Sequence, residues 1–346
     1  MGFFSSSAEL IAPLRMGMQY QLLPEDLRPG FETLGNGLLS FQKTIRVTVR
    51  NKKDLERILD AVIYDNPHIC YFNPTEFSIV TMGPFFAISF DYIYDRKKAA
   101  EVMKAVDDKA EYIISQFIMG DMSDYDKCVA IHDYMTENIH YNFSAMSVSF
   151  VHDAFTVEGA LLKHQAVCNG ISKAVTLLLN KLSIPCTTVQ GRSAIGENDL
   201  DHSWNLVKLG DDYYHIDVTW DLQEVNRFSN RSHMYMNLDD ESMLNNHSWD
   251  IEAYPTCDAI KENFYVKQKR YFRTMRSFEL YCQRFLKANL TYMDVRFEDT
   301  LEIPADGGRY IGGILQKQAA LVGKRFQMTF LFNANSYVFQ AELLYQ

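Results

Sequence analysis

A thiol, an imidazole and a carboxylate held in line can transfer acyl groups: the thiolate attacks, the imidazole moves the proton, and the carboxylate orients the imidazole. One part of this chain has the types and spacing for that chemistry. In "AVCNGISKA" (166–174), Cys168 stands just ahead of "VTLLLNKL", where Ile171, Val175, Leu178, Leu179 and Leu182 fall on one helical face. A helix N-terminus favours a thiolate through its unpaired N–H groups and the positive end of the dipole. Gly170 leaves room for backbone or substrate to approach. A buried cysteine at a helix start would look the same, so the choice turns on whether a base and its orienter lie within reach.

Downstream, "HSWNLVKL" (202–209) and "YYHIDVTWD" (213–221) read as strands joined by "GDD" (210–212). If Gly210-Asp211 is a two-residue loop, Leu209 pairs with Asp212 and Asp217 falls opposite Trp204. His202 then lies on the same sheet face, diagonal to Asp217 at roughly 7–8 Å between backbones. A four-residue loop preserves this parity; a three-residue loop puts His202 and Asp217 on opposite faces. With the first geometry, Asp217 fixes the His202 tautomer and leaves the other ring nitrogen to take a thiol proton. His215 shares the Asp217 face and is the rival base. His132, His140 and His152 lie outside the hairpin. Gln165 either helps hold an oxyanion or is an ordinary loop residue, and Glu158 has no assigned role.

These residues need elements to position them. Ahead of Cys168, "KKAAEVMKAVDDKAEYIISQF" (97–117) and "DKCVAIHDYMTENI" (126–139) predict helices, the second capped by Ser123 or Asp124. After it come a helix over 168–182 and strands over 186–192, 202–209 and 213–221. The Gly-containing segment 193–200 is expected to be a loop, either bordering the cleft or simply exposed. Residues 1–98 mix a strand (44–50), a helix (54–66) and two more strands (77–82, 85–94). Residues 251–346 give strand-like 263–274, a helix over 277–289 and strands over 291–297, 325–332 and 337–345, in an order that loosely echoes the first part. The division expected is an α+β domain over 1–98, a catalytic core with its preceding helices over 99–250, and a second α+β domain over 251–346.

"AVCNGISKAVTLLLNKLSIPCTTVQG" followed by "DHSWNLVKLGDDYYHIDVTWD" closely resembles the bacterial branch of the transglutaminase-like superfamily, in which a Cys opens a helix, a His-x-Trp-Asn strand comes next, and an Asp precedes Thr-Trp-Asp. The likeness extends through "KCVAIHDYMTENIHYN", "TVEGALLKHQAVC" and "YMNLDDESMLNNHSWD", covering roughly residues 120–250. It implies a papain-like α+β core with Cys168 as nucleophile, His202 as general base and acid, and Asp217 as orienter. Asn169 and Ile171 depart from the residues common in the family. Gln165, Asn169 and Trp204 are candidate contacts to the substrate or an oxyanion. The implied reaction breaks a protein or peptide amide through a thioester, ending in hydrolysis or in transfer to an amine acceptor. The alternative is a binding or scaffold protein that keeps the fold without turnover. The calcium apparatus of animal transglutaminases has no counterpart, and no metal or other cofactor is expected.

Composition narrows the rest. The 346 residues are 47% hydrophobic and 13% aromatic, as in a globular protein, and carry a net charge of −10. That charge argues against nucleic acid or anionic membranes as general partners. Lys267, Lys269, Arg270, Arg273 and Arg276 are the basic exception, read as the wet face of a strand. Six cysteines without C-x-x-C or Cys/His ligand spacing indicate neither a zinc site nor a disulfide framework. Neither a signal peptide nor a membrane span is read, so a cytoplasmic location is expected, although Gly2 and Ser6 fit the M-G-x-x-x-[ST] myristoylation pattern.

Overall fold

The computed structural model describes residues 10–83, 85–146, 152–195, 198–222 and 232–346. Gly2 and Ser6 of the myristoylation pattern, and the Gly196-Glu197 pair, lie outside the described residues.

The first part begins with α1 (Met18–Leu22) and α2 (Arg28–Leu39), followed by β1 (Thr44–Val47), α3 (Lys52–Asp65), β2 (Phe72–Met82) and β3 (Phe85–Tyr92). The strands form an antiparallel sheet in the order β1-β3-β2. Asn51 caps α3 by accepting from the Asp54 N–H. The apolar stripe of α3, Leu55, Ile58, Leu59 and Val62, joins Phe31, Leu34 and Leu38 of α2 in one core. Asp65 ends α3 and accepts the N–H groups of Gly17, Gln19 and Tyr20, fixing the start of α1.

Two helices lead into the central part: α4 (Arg96–Phe117), capped by Asp95, and α5 (Asp124–Asn138), where Ser123 and Asp126 form a reciprocal capping box. The two-residue strands β4 (His140–Tyr141) and β5 (Gln165–Ala166) pair in parallel, with α6 (Val157–Leu162) between them in sequence. Then α7 (Cys168–Lys181) packs on a sheet built from β6 (Cys186–Ile195), β7 (Asn198–Leu209) and β8 (Asp212–Ile216). A short helix α8 (Val218–Asp221), strand β9 (Met236–Leu238), helix α9 (Asp240–Met243) and strand β10 (His247–Trp249) come next. The strand order is β10-β6-β7-β8-β9. Leu209 pairs with Asp212, and Gly210 takes φ of 64°, so the join is the two-residue turn.

The last part holds α10 (Phe264–Lys267), β11 (Tyr271–Phe272), α11 (Met275–Lys287), β12 (Tyr292–Phe297), α12 (Gly307–Leu321), β13 (Phe326–Asn333) and β14 (Val338–Tyr345), with sheet order β11-β12-β14-β13. Its core gathers Phe278, Phe285, Val295, Phe297, Ile311, Leu315 and Phe339.

Three expectations need correction. The strand expected over 213–221 stops at Ile216, because Asp217 turns the chain and caps α8 by accepting from the Trp220 N–H at 3.2 Å. The segment 193–200 is mostly strand: β6 runs to Ile195 and β7 starts at Asn198. The strand expected over 263–274 is a helical turn, α10, with only two strand residues after it; Asn263 caps that turn by accepting from the Tyr265 N–H. The basic residues there are largely paired locally, Lys267 with Glu262, Arg273 with Glu298 and Arg276 with Glu279.

Candidate active site

Cys168 is the first residue of α7, and its N-cap Val167 offers no side-chain acceptor to the N–H groups of the first turn. Of the six cysteines, all free, it is the one that is not buried. Burial pushes the thiols of Cys70 and Cys186 up to about 12, which keeps them protonated and inert.

His202 and Asp217 meet at 2.6 Å, imidazole Nε2 to carboxylate Oδ2. An ionised carboxylate only accepts, so Nε2 carries a ring proton, and the Cys168 thiol is the ring's other hydrogen-bonding neighbour. Burial alone would lower the His202 pKa; the Asp217 charge and hydrogen bond, with the Cys168 contact, overcome it and raise it. Burial likewise works against the Asp217 carboxylate, yet His202 and His247 hold it well below the usual range.

The second histidine on Asp217 was not expected. His247 Nε2 lies 3.1 Å from the same Oδ2. Its Nδ1 is 2.6 Å from Asn246 Oδ1, and Asn246 Nδ2 donates to the Tyr235 hydroxyl at 2.6 Å. Burial holds the His247 pKa down against the pull of the Asp217 carboxylate. A continuous chain of contacts thus runs from Tyr235 through Asn246 and His247 to Asp217. Gly191 lets the two histidine strands meet across β6, since a Cβ there would collide with the Trp204 ring and the Ser248 carbonyl.

The other expected residues have different surroundings. His215 is wholly buried; its Nδ1 accepts from the Trp204 indole N–H at 3.0 Å and its Nε2 faces Asp240 at 2.8 Å, so neither nitrogen is left for a thiol. Trp204, expected to touch substrate, is 1% exposed and stacks behind His202 at 5.9 Å. Gln165 is exposed on β5 with no side-chain hydrogen bond among the described residues. Asn169, beside the thiol, reaches Ser203 Oγ at 3.4 Å and the Tyr64 hydroxyl. Tyr141 was missed: its hydroxyl takes the Cys168 backbone N–H and meets the thiol. The pairing of β4 with β5 places it there, and two-residue strands leave no periodic signal.

Residues 111–218 match the family model of the transglutaminase-like superfamily. The chain carries a transglutaminase-like superfamily domain. Cys168, His202 and Asp217 all fall inside the matched residues, whereas His247 lies outside. Among solved structures, the chain is similar to a TGase at 18% identity, over 51% of this chain and 50% of that one, with TM-score 0.31. It is also similar to a candidate cysteine protease from Cytophaga hutchinsonii at 12% identity, over 42% of this chain and 61% of that one, with TM-score 0.28. The chain thus spans half to three-fifths of the length of these two chains. No curated protein matches it.

A cleft of about 480 Å³ opens beside the transglutaminase-like domain, between α3 and the sheet. Tyr64 forms its inner wall, and its hydroxyl bonds both Gln190 and Asn169, the residue after Cys168. Lys53, Arg57, Asp60, Asp250 and Glu252 give the cleft a charged lining. Desolvation in this recess pushes the Asp60 carboxyl up to about 6.

Behind the site, Asp221 closes α8. It accepts from Ser232 Oγ at 2.5 Å, from the backbone N–H groups of Met234 and Tyr235 at 2.9 and 3.0 Å, and from His132 at 3.1 Å. His132 also reaches Asp133, which accepts from His233 at 2.8 Å. His132, Asp133 and His233 have donor types and spacing that could hold a metal ion, as do His202, Asp217 and His247. In both groups, direct hydrogen bonds between the ligand atoms already use the same lone pairs and protons.

Among the described residues, no helix is long and apolar enough to cross a membrane.

Proposed function

We propose that the chain is a thiol-dependent acyl-transfer enzyme acting on protein or peptide amides. The observation that carries this reading is the line Cys168, His202, Asp217, in which the least buried cysteine meets an imidazole whose far nitrogen is 2.6 Å from an ionised carboxylate.

The Cys168 proton passes to His202 Nδ1, and the thiolate attacks the amide carbonyl carbon. As the C–N bond breaks, His202 returns that proton to the leaving amine, and a thioester remains on Cys168. Water or a second amine then attacks the thioester, His202 taking its proton and handing it to the departing sulfur. Water gives the acid; an amine gives a new amide. The N-terminal turn of α7, uncapped by any side chain of Val167, is suited to the oxyanion, with the Tyr141 hydroxyl beside it on the Cys168 N–H. The cleft beyond Tyr64 is the route we assign to the substrate chain, and its charged lining suits a polar segment. We further propose the divisions 1–98, 99–250 and 251–346 as domains, the middle one carrying the chemistry.

The test is a mixture of glutamine-containing peptides incubated with and without a primary amine and read by mass spectrometry. The expected result is an acid or amide product that disappears in Cys168→Ala. Turnover that persists in that variant would remove Cys168 from the mechanism, and a strict calcium requirement would contradict a reaction run by these side chains alone.

A further inference from the structure

Away from the thiol, one cavity is lined by a buried imidazole with nothing to bond among the described residues. We infer that the pocket around His68 binds a small oxyanion, a phosphate or carboxylate group.

His68 is 6% exposed, and neither Nδ1 nor Nε2 has a hydrogen-bond partner among the described residues. Native proteins seldom leave buried polar atoms in that state. The ring lines a cavity of about 320 Å³ together with Arg15, Lys104, Lys181 and Asp107, with an apolar wall from the segment 11–13.

Arg15 is the second donor. Its guanidinium makes no hydrogen bond among the described residues, and its one ion pair, to Asp107, is long at 3.9 Å. Asp107 is already held by Lys181 at 2.7 Å, and Lys181 also reaches Glu111. Lys104 pairs with Asp108 but is otherwise exposed. The imidazole and the guanidinium therefore keep N–H donors free of hydrogen bonds among the described residues, while Asp107 is shared between Lys181 and Arg15. Burial, then the charges of Arg15 and Lys181, push the His68 pKa down to about 3, so the ring is neutral, with one N–H to donate and one bare nitrogen.

The chain holds these donors in place. Asn66 bonds the backbone of Arg15 on both sides, accepting its N–H at 2.8 Å and donating to its carbonyl at 3.1 Å. His68 comes two residues later. An oxygen anion between imidazole and guanidinium would accept from both, and Lys104 and Lys181 would complete its charge. A water molecule could meet His68 alone but would leave the guanidinium with only its long pair to Asp107.

The test titrates the native chain at constant ionic strength with inorganic phosphate and, separately, with acetate, by calorimetry. We expect saturable binding of at least one probe with Kd below about 5 mM. The loss should be about tenfold or more in Arg15→Met and in His68→Phe, which keeps a ring without its nitrogens. Binding of phosphate alone marks a phosphate site; binding of acetate as well marks a carboxylate site. Failure of both probes to saturate, or unchanged affinity in the variants, overturns the inference. If His68→Phe does not fold, Arg15→Met decides, because that side chain is about a third exposed and makes no hydrogen bond among the described residues. Cys168→Ala should bind as the native chain does, so this result is separate from the proposed chemistry.

Discussion

Asp217 holds two imidazoles on one oxygen, and the two contacts predict different things. The His202 contact sets the tautomer of the proposed base. The His247 contact shares the charge and fixes the angle of the carboxylate, which makes His247 a positioning residue. We expect His247→Ala to slow iodoacetamide labelling of Cys168 about tenfold and to shift its pH profile by about one unit. His247→Gln, which can still donate to Asp217, should recover most of that rate. Equal rates and an unmoved profile in both variants would make His247 a packing residue only. Cys168→Ala should lose activity on the order of a thousandfold or more while changing stability by less than about 1 kcal/mol, since the thiol is half-buried. Cys168, His202 and Asp217 could be singled out in the sequence because a hairpin and a helix start carry them. His247 could not be found by spacing, since it lies 30 residues from Asp217 with only short elements between them among the described residues. One signal was present: His-Ser-Trp occurs at 202–204 and again at 247–249, on the two strands that flank β6.

The join between α7 and the sheet decides where Cys168 points. Asn205 on β7 makes it: its side-chain amide donates to the Ser172 carbonyl at 2.9 Å, Thr176 Oγ1 at 3.0 Å and the Thr187 carbonyl at 3.3 Å. Asn205→Leu should therefore cost about 2–3 kcal/mol in urea unfolding, by leaving buried acceptors unmet. A cost near zero would mean that apolar packing alone seats the helix. Helices α3, α4, α5, α7 and α11 were legible because their apolar stripes keep a clear period. Helix α12 was not: Gly307, Gly308, Gly312 and Gly313 depress its helix propensity. Three of these let β13 approach closely, since a Cβ would lie within 3 Å of Phe332, Phe330 or Met328. Helix α8 was hidden for a different reason: "HIDVTW" favours a strand by type, and only the Asp217 cap, a tertiary choice, ends it.

Three large apolar cores and a small fourth around Ala145, Ala154 and Val167 organise the described chain, and α4 serves two of the large ones. Ala99 and Met103 face the first core, whereas Val102, Val106, Ala110 and Ile113 face the central one. A boundary at residue 98 therefore falls at the start of a shared helix, which the helical period alone could not reveal. The central core also takes Cys257, Phe264, Tyr265 and Val338 from beyond residue 250. Its buried ion network makes stability depend on pH. Burial alone would lower the His132 pKa, but Asp133 and Asp221 raise it from 6.5 to about 9. A raised imidazole stabilises the fold fully below its unfolded pKa and loses that contribution as pH climbs to its folded one. The native chain should thus lose melting temperature relative to His132→Gln between 6.5 and about 9. Parallel curves would show that His132 is neutral in the fold. Asp133, held low by His132 and His233 despite burial, acts in the other direction: its contribution is lost as pH falls below the ordinary carboxylate range.

The most direct measurement is a peptide map after brief, limiting iodoacetamide labelling near pH 6, on the native chain and on His202→Ala. Rapid labelling confined to Cys168 and lost in His202→Ala is the result expected of a thiol activated by His202 and Asp217. Slow labelling spread over several cysteines, or a Cys168 rate indifferent to His202, would contradict the thiol mechanism.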